Sequence, residues 1–252
     1  MFQIKICGIT TPDDALLAAE AGADAIGLNF YDKSPRHVDP QRAGEIVERL
    51  RAEYSAEQVQ VFAVFVNASL DDILWTIRDA NLFGLEQGLG IQLHGDEPPE
   101  FLRDLRAQGL GVTDSLFQAA GHVPVVPVVR ALRCREPDLA SQLAYLERCR
   151  LLGALPQGVL LDSHSPASYG GTGQVADWNA IRHQRGKLLL LGLQPILAGG
   201  LTPENVAAAI AAALPGAVDV ASGVESAPGR KDTAKVLAFV ARAKAAFATL
   251  RR

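Results

Sequence analysis

The chain has 252 residues, a formal net charge of −4, 48 % hydrophobic and 21 % charged residues, the balance of an ordinary globular protein with material for a sizeable core. It has no basic run or basic–aromatic stripe, which argues against a nucleic-acid interface, and its longest nearly continuous apolar stretch, Leu188–Leu197, is about half of what a bilayer span needs. Its three cysteines, Cys7, Cys134 and Cys149, form no CxxC pair, which argues against a disulfide framework or a zinc cluster and fits a reducing cytoplasm.

In chain order, short β-rich runs alternate with longer helical patterns. Strands are expected at Phe2–Cys7, Asp24–Asn29, Gln60–Asn67, Leu89–His94, Val123–Arg130, Gly158–Asp162, Gln194–Ala198 and Ala217–Ala221. The first begins almost at once, so no secretory leader is expected. Helices are expected at Pro12–Ala21, Pro40–Glu53, Leu70–Ala80, Pro98–Gln108, Asp138–Arg150, Asp177–Gln184, Pro203–Leu214 and Asp232–Leu250. Thr11-Pro12-Asp13-Asp14 and Thr202-Pro203-Glu204 each place a cap residue before proline and acids. Strand–helix units of roughly 30 residues, repeated through the chain, predict a single-domain α/β protein, a (β/α)8 TIM barrel; a doubly wound open sheet is the structural alternative. Gly84–Gly90 and Gly109–Gly121 read as insertions, not as domain boundaries.

Residues two apart in a strand share a face. In Ile4-Lys5-Ile6-Cys7 the isoleucines turn toward the helices, which leaves Lys5 and Cys7 facing the barrel interior. The same parity puts Asn29, Asn67, Gln92 with His94, Asp162 and Asp219 inward. Most of these stand at the C-terminal ends of their strands, where barrel enzymes build their sites. Singly, Cys7 reads as a small core hydrophobe and Asp162 as a turn cap; convergence of six or more polar groups on one rim does not. Glycines gather in the last quarter, at Gly170-Gly171-Thr172-Gly173, Gly199-Gly200 and Ser222-Gly223. Glycine lets backbone amides approach an anion, and the loops after strands seven and eight are the usual phosphate site of such barrels. Arg36, in Ser34-Pro35-Arg36, has the planar fork that suits a carboxylate.

Together these motifs resemble the phosphoribosylanthranilate isomerase family of tryptophan biosynthesis. The matching stretches are Lys5-Ile-Cys-Gly-Ile-Thr10, Gly27-Leu-Asn-Phe-Tyr31 with Ser34-Pro-Arg-His37, Val64-Phe-Val-Asn67 and Gln92-Leu-His-Gly-Asp-Glu97. They continue with Leu160-Leu-Asp162, Gly170-Gly-Thr-Gly173, Asp177-Trp178, Leu197-Ala-Gly-Gly-Leu201, Pro203-Glu-Asn-Val206, Val218-Asp-Val220, Ser222-Gly-Val-Glu225 and Pro228-Gly-Arg-Lys-Asp232. Arg130 stands where the family more often has lysine, Ala176 replaces the usual aromatic, and Ala221 stands where serine is common.

The resemblance implies an Amadori rearrangement of N-(5-phosphoribosyl)anthranilate to 1-(2-carboxyphenylamino)-1-deoxyribulose 5-phosphate, without cofactor or metal. It implies Asp162 as general acid at the furanose ring oxygen and Cys7 as general base at C2 of the sugar. Arg36 would hold the anthranilate carboxylate. The amides around Gly173, Gly199, Gly200, Ser222 and Gly223 would hold the phosphate, and Lys5, His94 and Asp219 would complete substrate binding. Lys5 is also a candidate for the positive charge that favours a Cys7 thiolate. The expected partner is a phosphorylated small molecule, with neither nucleic acid nor membrane, in a cytoplasmic monomer or homodimer. Two rival readings stand beside this one: a histidine-pathway isomerase of a phosphoribosylated aminoimidazole, which uses paired aspartates, and a barrel that binds a phosphorylated ligand without turnover.

Overall fold

The computed structural model describes residues 2–82, 88–108, 126–134, 139–163, 178–193 and 195–250. Eight strands pair in sequence order into a closed barrel: β1 (Ile4–Cys7), β2 (Ala25–Asn29), β3 (Gln60–Phe65), β4 (Leu89–Leu93), β5 (Val128–Cys134), β6 (Gly158–Ser163), β7 (Pro195–Ala198) and β8 (Ala217–Val220). Neighbours run parallel, and β8 closes on β1 with Lys5 opposite Asp219. The helices are α1 (Pro12–Ala21), α2 (Pro40–Arg51), α3 (Leu70–Asp79), α4 (Pro99–Ala107), α5 (Ala140–Leu151), α6 (Trp178–Leu190), α7 (Val206–Ala213) and α8 (Thr233–Leu250). This is the (β/α)8 barrel, not the open sheet. No helix among the described residues is long and apolar enough to cross a membrane.

Local chemistry sets the helix starts. The Thr11 side chain accepts from the Asp14 amide with Pro12 in the first turn, and Asp39 caps Arg42 in the same way. Ser69 and Asp72 form a reciprocal capping box on α3. Three expectations shift. Thr202 receives the Glu204 amide, but Pro203–Asn205 makes a separate turn and α7 begins only at Val206. α6 runs past Gln184 to Leu190 and takes up the first three residues of the apolar run Leu188–Leu197. β5 does not stop at Arg130, because Arg133 and Cys134 pair with Asp162 and Ser163 of β6. Of the two expected insertions, residues 84–87 and 109–121 lie outside the described residues; Leu89 and Gly90 belong to β4 itself.

The core has two layers. The larger lies between strands and helices and includes Ile4, Ile6, Ile26, Leu28 and Leu161. The smaller fills the barrel with Phe2, Ala25, Phe62, Val129, Ala131, Leu160, Ile196, Ala198 and Ala217. Phe2 and Phe62 meet edge to face at 5.1 Å. A Cβ on Gly90 would lie 2.2 Å from the Phe62 ring, so the ring needs that glycine.

Arg130 faces outward from β5 and is buried. It pairs with Glu97 at 3.0 Å and donates to the carbonyls of Leu93 (3.0 Å) and Gly95 (3.0 Å) and to the Tyr145 hydroxyl (3.1 Å). It therefore clamps the end of β4, from which His94 projects. Removing one partner of a buried pair strands the other charge. Arg130→Ala is expected to cost about 3–5 kcal/mol in urea unfolding; a loss under about 1 kcal/mol would mean that the clamp carries no stability.

Candidate active site

One pocket opens at the C-terminal ends of the strands. Its walls include Cys7, Asn29, Ser34, Arg36, Gln92, His94, Asp162, Gly199, Gly200, Asp219, Ser222 and Gly223. Strand parity aims Cys7, Asn29, Gln92, Asp162 and Asp219 inward, the loops that follow the strands bring the other wall residues, and parallel pairing sets the strand ends on one rim. Gly173 lies outside the described residues.

Cys7 ends β1 beside Gly27 of β2. A Cβ on Gly27 would lie 2.6 Å from the Cys7 sulfur and 3.0 Å from Lys5 Nζ, so the bare backbone there makes room for both. Lys5 is fully buried and donates to Asp219 Oδ1 at 2.9 Å. It lies beneath Cys7, behind the pocket wall, with its charge matched by Asp219. Burial works against the Lys5 charge, but Asp219 and Cys7 outweigh it and raise its pKa.

Opposing influences act on the Cys7 thiol. Burial pushes the half-buried Cys7 thiol above its ordinary value of 9.0; Lys5 and Lys231 pull it down and Asp219 pushes it up, with the net shift upward. Without substrate, Cys7 at neutral pH is therefore mainly a thiol. Alkylation by iodoacetamide, followed at Cys7 by mass spectrometry, should accelerate with pH and inflect above 9.0; an inflection below about 8 would contradict the burial argument. Cys149 on α5 is buried away from this pocket, and burial pushes its thiol up to about 11.

Asp162 sits near the end of β6, 6 % exposed. His94 Nε2 lies 3.2 Å from its Oδ2, and Gln92 Nε2 lies 3.1 Å from His94 Nδ1. With the Gln92 amide donating, His94 carries its proton on Nε2 and donates to Asp162. Among the described residues, that leaves the other carboxyl oxygen, Oδ1, for a reacting atom.

Arg36 is carried by a loop that folds back on β2. Asn29 Nδ2 donates to Ser34 Oγ at 3.1 Å, Ser34 Oγ also accepts from the Arg36 amide at 3.1 Å, and Asn29 Oδ1 accepts from the Tyr31 amide at 2.9 Å. The guanidinium makes a two-pronged bond to Glu225, which leaves three of its five N–H groups to bind something else. Asn67 is not inward on a strand; it lies beyond β3 at φ 52°, and its Oδ1 accepts from the Asp96 amide. Glu225 and Lys231, inside matched stretches, received no role from the sequence because the contact with Arg36 spans 189 residues.

Gly199 and Gly200 take φ values of 81° and 63°, which favour glycine. A Cβ on Gly223 would lie 1.8 Å from the Leu201 carbonyl oxygen, so the loops after β7 and β8 close together only over a bare backbone.

Polar side chains and glycine turns at the C-terminal rim of a closed (β/α)8 barrel define a barrel enzyme with its site in the βα loops. The sequence profile of N-(5'-phosphoribosyl)anthranilate isomerase matches residues 4–242. A relative of that name from Trichlorobacter lovleyi is 41 % identical over 246 residues, covering 98 % of this chain and all of its own. The crystal structure of phosphoribosyl anthranilate isomerase from Thermotoga maritima is similar at a TM-score of 0.73 and 34 % identity, covering 97 % of this chain and 100 % of that one. A structure of the enzyme in complex with reduced 1-(o-carboxyphenylamino)-1-deoxyribulose 5-phosphate matches at a TM-score of 0.70 and 32 % identity, with the same coverage. The chain belongs to the N-(5'-phosphoribosyl)anthranilate isomerase family.

Proposed function

We propose that Cys7 and Asp162 carry the two proton transfers of this isomerase, with Arg36 on the anthranilate carboxylate and the loops after β7 and β8 on the phosphate. The reaction, an Amadori rearrangement of N-(5-phosphoribosyl)anthranilate in tryptophan biosynthesis, is the one that defines the family. The observation that carries the residue roles is that Cys7, Asp162, Arg36 and the glycines at 199, 200 and 223 all line one pocket.

The chemistry assigns each group a task. Asp162 gives a proton to the furanose ring oxygen, which opens the ring to a Schiff base. Cys7 then takes the proton from C2, and the enolamine tautomerises to the ketone. His94 holds one Asp162 oxygen in place. The amides of Gly199, Gly200, Ser222 and Gly223, with Gly173 by resemblance, surround the phosphate. Asp219 reaches the pocket wall while paired with Lys5, and it acts by fixing that lysine beneath Cys7. We also infer a cytoplasmic enzyme, one domain throughout, working as a monomer or homodimer.

Loss of phosphoribosylanthranilate fluorescence tests the function in the purified chain. Arg36→Ala should raise KM roughly 30- to 150-fold with a smaller change in kcat, the size of a charge-assisted contact of about 2–3 kcal/mol. An unchanged KM would remove Arg36 from the carboxylate site.

A further inference from the structure

Beside the pocket lies a buried chain of charges of which the roles above use only Arg36. Glu225 begins β9 (Glu225–Ala227), which pairs with β10 (Arg230–Lys231) after the eighth barrel strand. Its carboxylate accepts from Arg36 Nε at 2.8 Å, from Arg36 Nη2 at 2.8 Å and from Lys231 Nζ at 2.9 Å. Lys231 Nζ also donates to the carbonyls of Cys7 at 2.7 Å and Ala221 at 3.2 Å. The side chains of Glu225 and Lys231 are 4 % and 0 % exposed, and neither residue is on the pocket wall. The Arg36 stem lies across Gly8, where a Cβ would approach its Cδ to 2.4 Å.

A buried ion network is weak as a source of stability, since apolar side chains of the same size often do as well. This one joins three parts of the site: the end of β1 at Cys7, the start of the loop after β8 at Ala221, and the guanidinium of Arg36. It holds two cations and one anion, so one positive charge is left over, which suits a ligand with a single carboxylate. Burial opposes the Glu225 charge, but the Arg36 and Lys231 donors outweigh it and hold its pKa below the ordinary range.

We propose that Glu225 and Lys231 are positioning residues for the rearrangement: Glu225 fixes the Arg36 fork in the orientation that receives the aromatic carboxylate, and Lys231 ties that fork to the backbone at Cys7 and Ala221. The proposal rests on Arg36 as the carboxylate holder. Neither residue touches substrate.

The test compares inhibition by the reduced product analogue with inhibition by the same compound lacking the ring carboxylate. Wild type should prefer the carboxylate form by tens of fold or more, and Arg36→Ala should abolish that preference. Glu225→Gln and Glu225→Asp should each lower it by about tenfold or more, because an ångström of misplacement can cost as much as about a hundredfold. No preference in wild type would sink the Arg36 reading itself. A preference that Arg36→Ala abolishes but a folded Glu225 variant keeps at the wild-type level would overturn the positioning role alone.

Alkylation of Cys7 adds a readout that a merely structural role would not move. The charged groups acting on Cys7 are Lys5, Asp219, Lys231 and Arg36. Glu225→Gln leaves two of those cations uncompensated and should shift the inflection down by about one pH unit. Glu225→Asp keeps the charge, so its inflection should stay while its carboxylate preference falls. The aspartate variant also carries the test if the glutamine variant does not fold.

Discussion

Cys7→Ser is expected to lower kcat by about 10²–10⁴-fold, the range for loss of a positioned general base, with a smaller change in KM. The substitution keeps the shape of the side chain against Gly27, where the sulfur already fills the space a Cβ would need. A serine hydroxyl loses its proton far less readily than a thiol, so the damage falls on proton abstraction and not on binding. The raised pKa of Cys7 sharpens this prediction. A thiol mostly protonated at neutral pH is scarce as thiolate, but each thiolate is a stronger base, and the two effects partly offset.

Asp162→Asn should be comparable, with kcat down by about 10²–10⁴-fold and KM close to wild type. Asparagine can still accept from His94 Nε2, which now lies 3.2 Å from the aspartate oxygen, so the local framework survives. An amide N–H can donate a hydrogen bond but is far too weak an acid to transfer its proton to the ring oxygen. Steady-state fluorescence kinetics would decide it; a fall of less than about tenfold would place the acid elsewhere on the rim.

Much of this was legible in the sequence, for reasons that differ by element. The starts of α1 and α2 follow from Thr11 and Asp39, each acting on an amide three residues away. Strand parity placed Cys7, Asp162 and Asp219 on the inner face because alternation is a local property. The end of β5 was not legible, since it depends on pairing with β6. Nor was the length of α6, because Gly186 ordinarily weakens a helix; here it is accommodated in a helix that runs on to Leu190.

The electrostatics of the site were the least legible. Lys5 near Cys7 suggested a stabilised thiolate; Lys5 does pull the thiol down, but burial outweighs it, and Asp219, set directly opposite Lys5 by the closure of the barrel, adds to the upward push. The carboxylate that holds Arg36 was equally hidden, because Glu225 comes from the far end of the chain. Arg130 looked like a departure in a functional strand. It faces away from the barrel interior and braces β4 from outside.

The most direct test of Cys7 as the base is the isotope effect with substrate carrying deuterium at C2 of the ribose. If Cys7 removes that proton, Cys7→Ser makes its removal slower and more rate-limiting, so the isotope effect on kcat should exceed the wild-type value, while Asp162→Asn, which slows ring opening, should not raise it. Near-normal turnover in Cys7→Ser, or an isotope effect no larger than wild type in a slowed variant, would contradict that assignment.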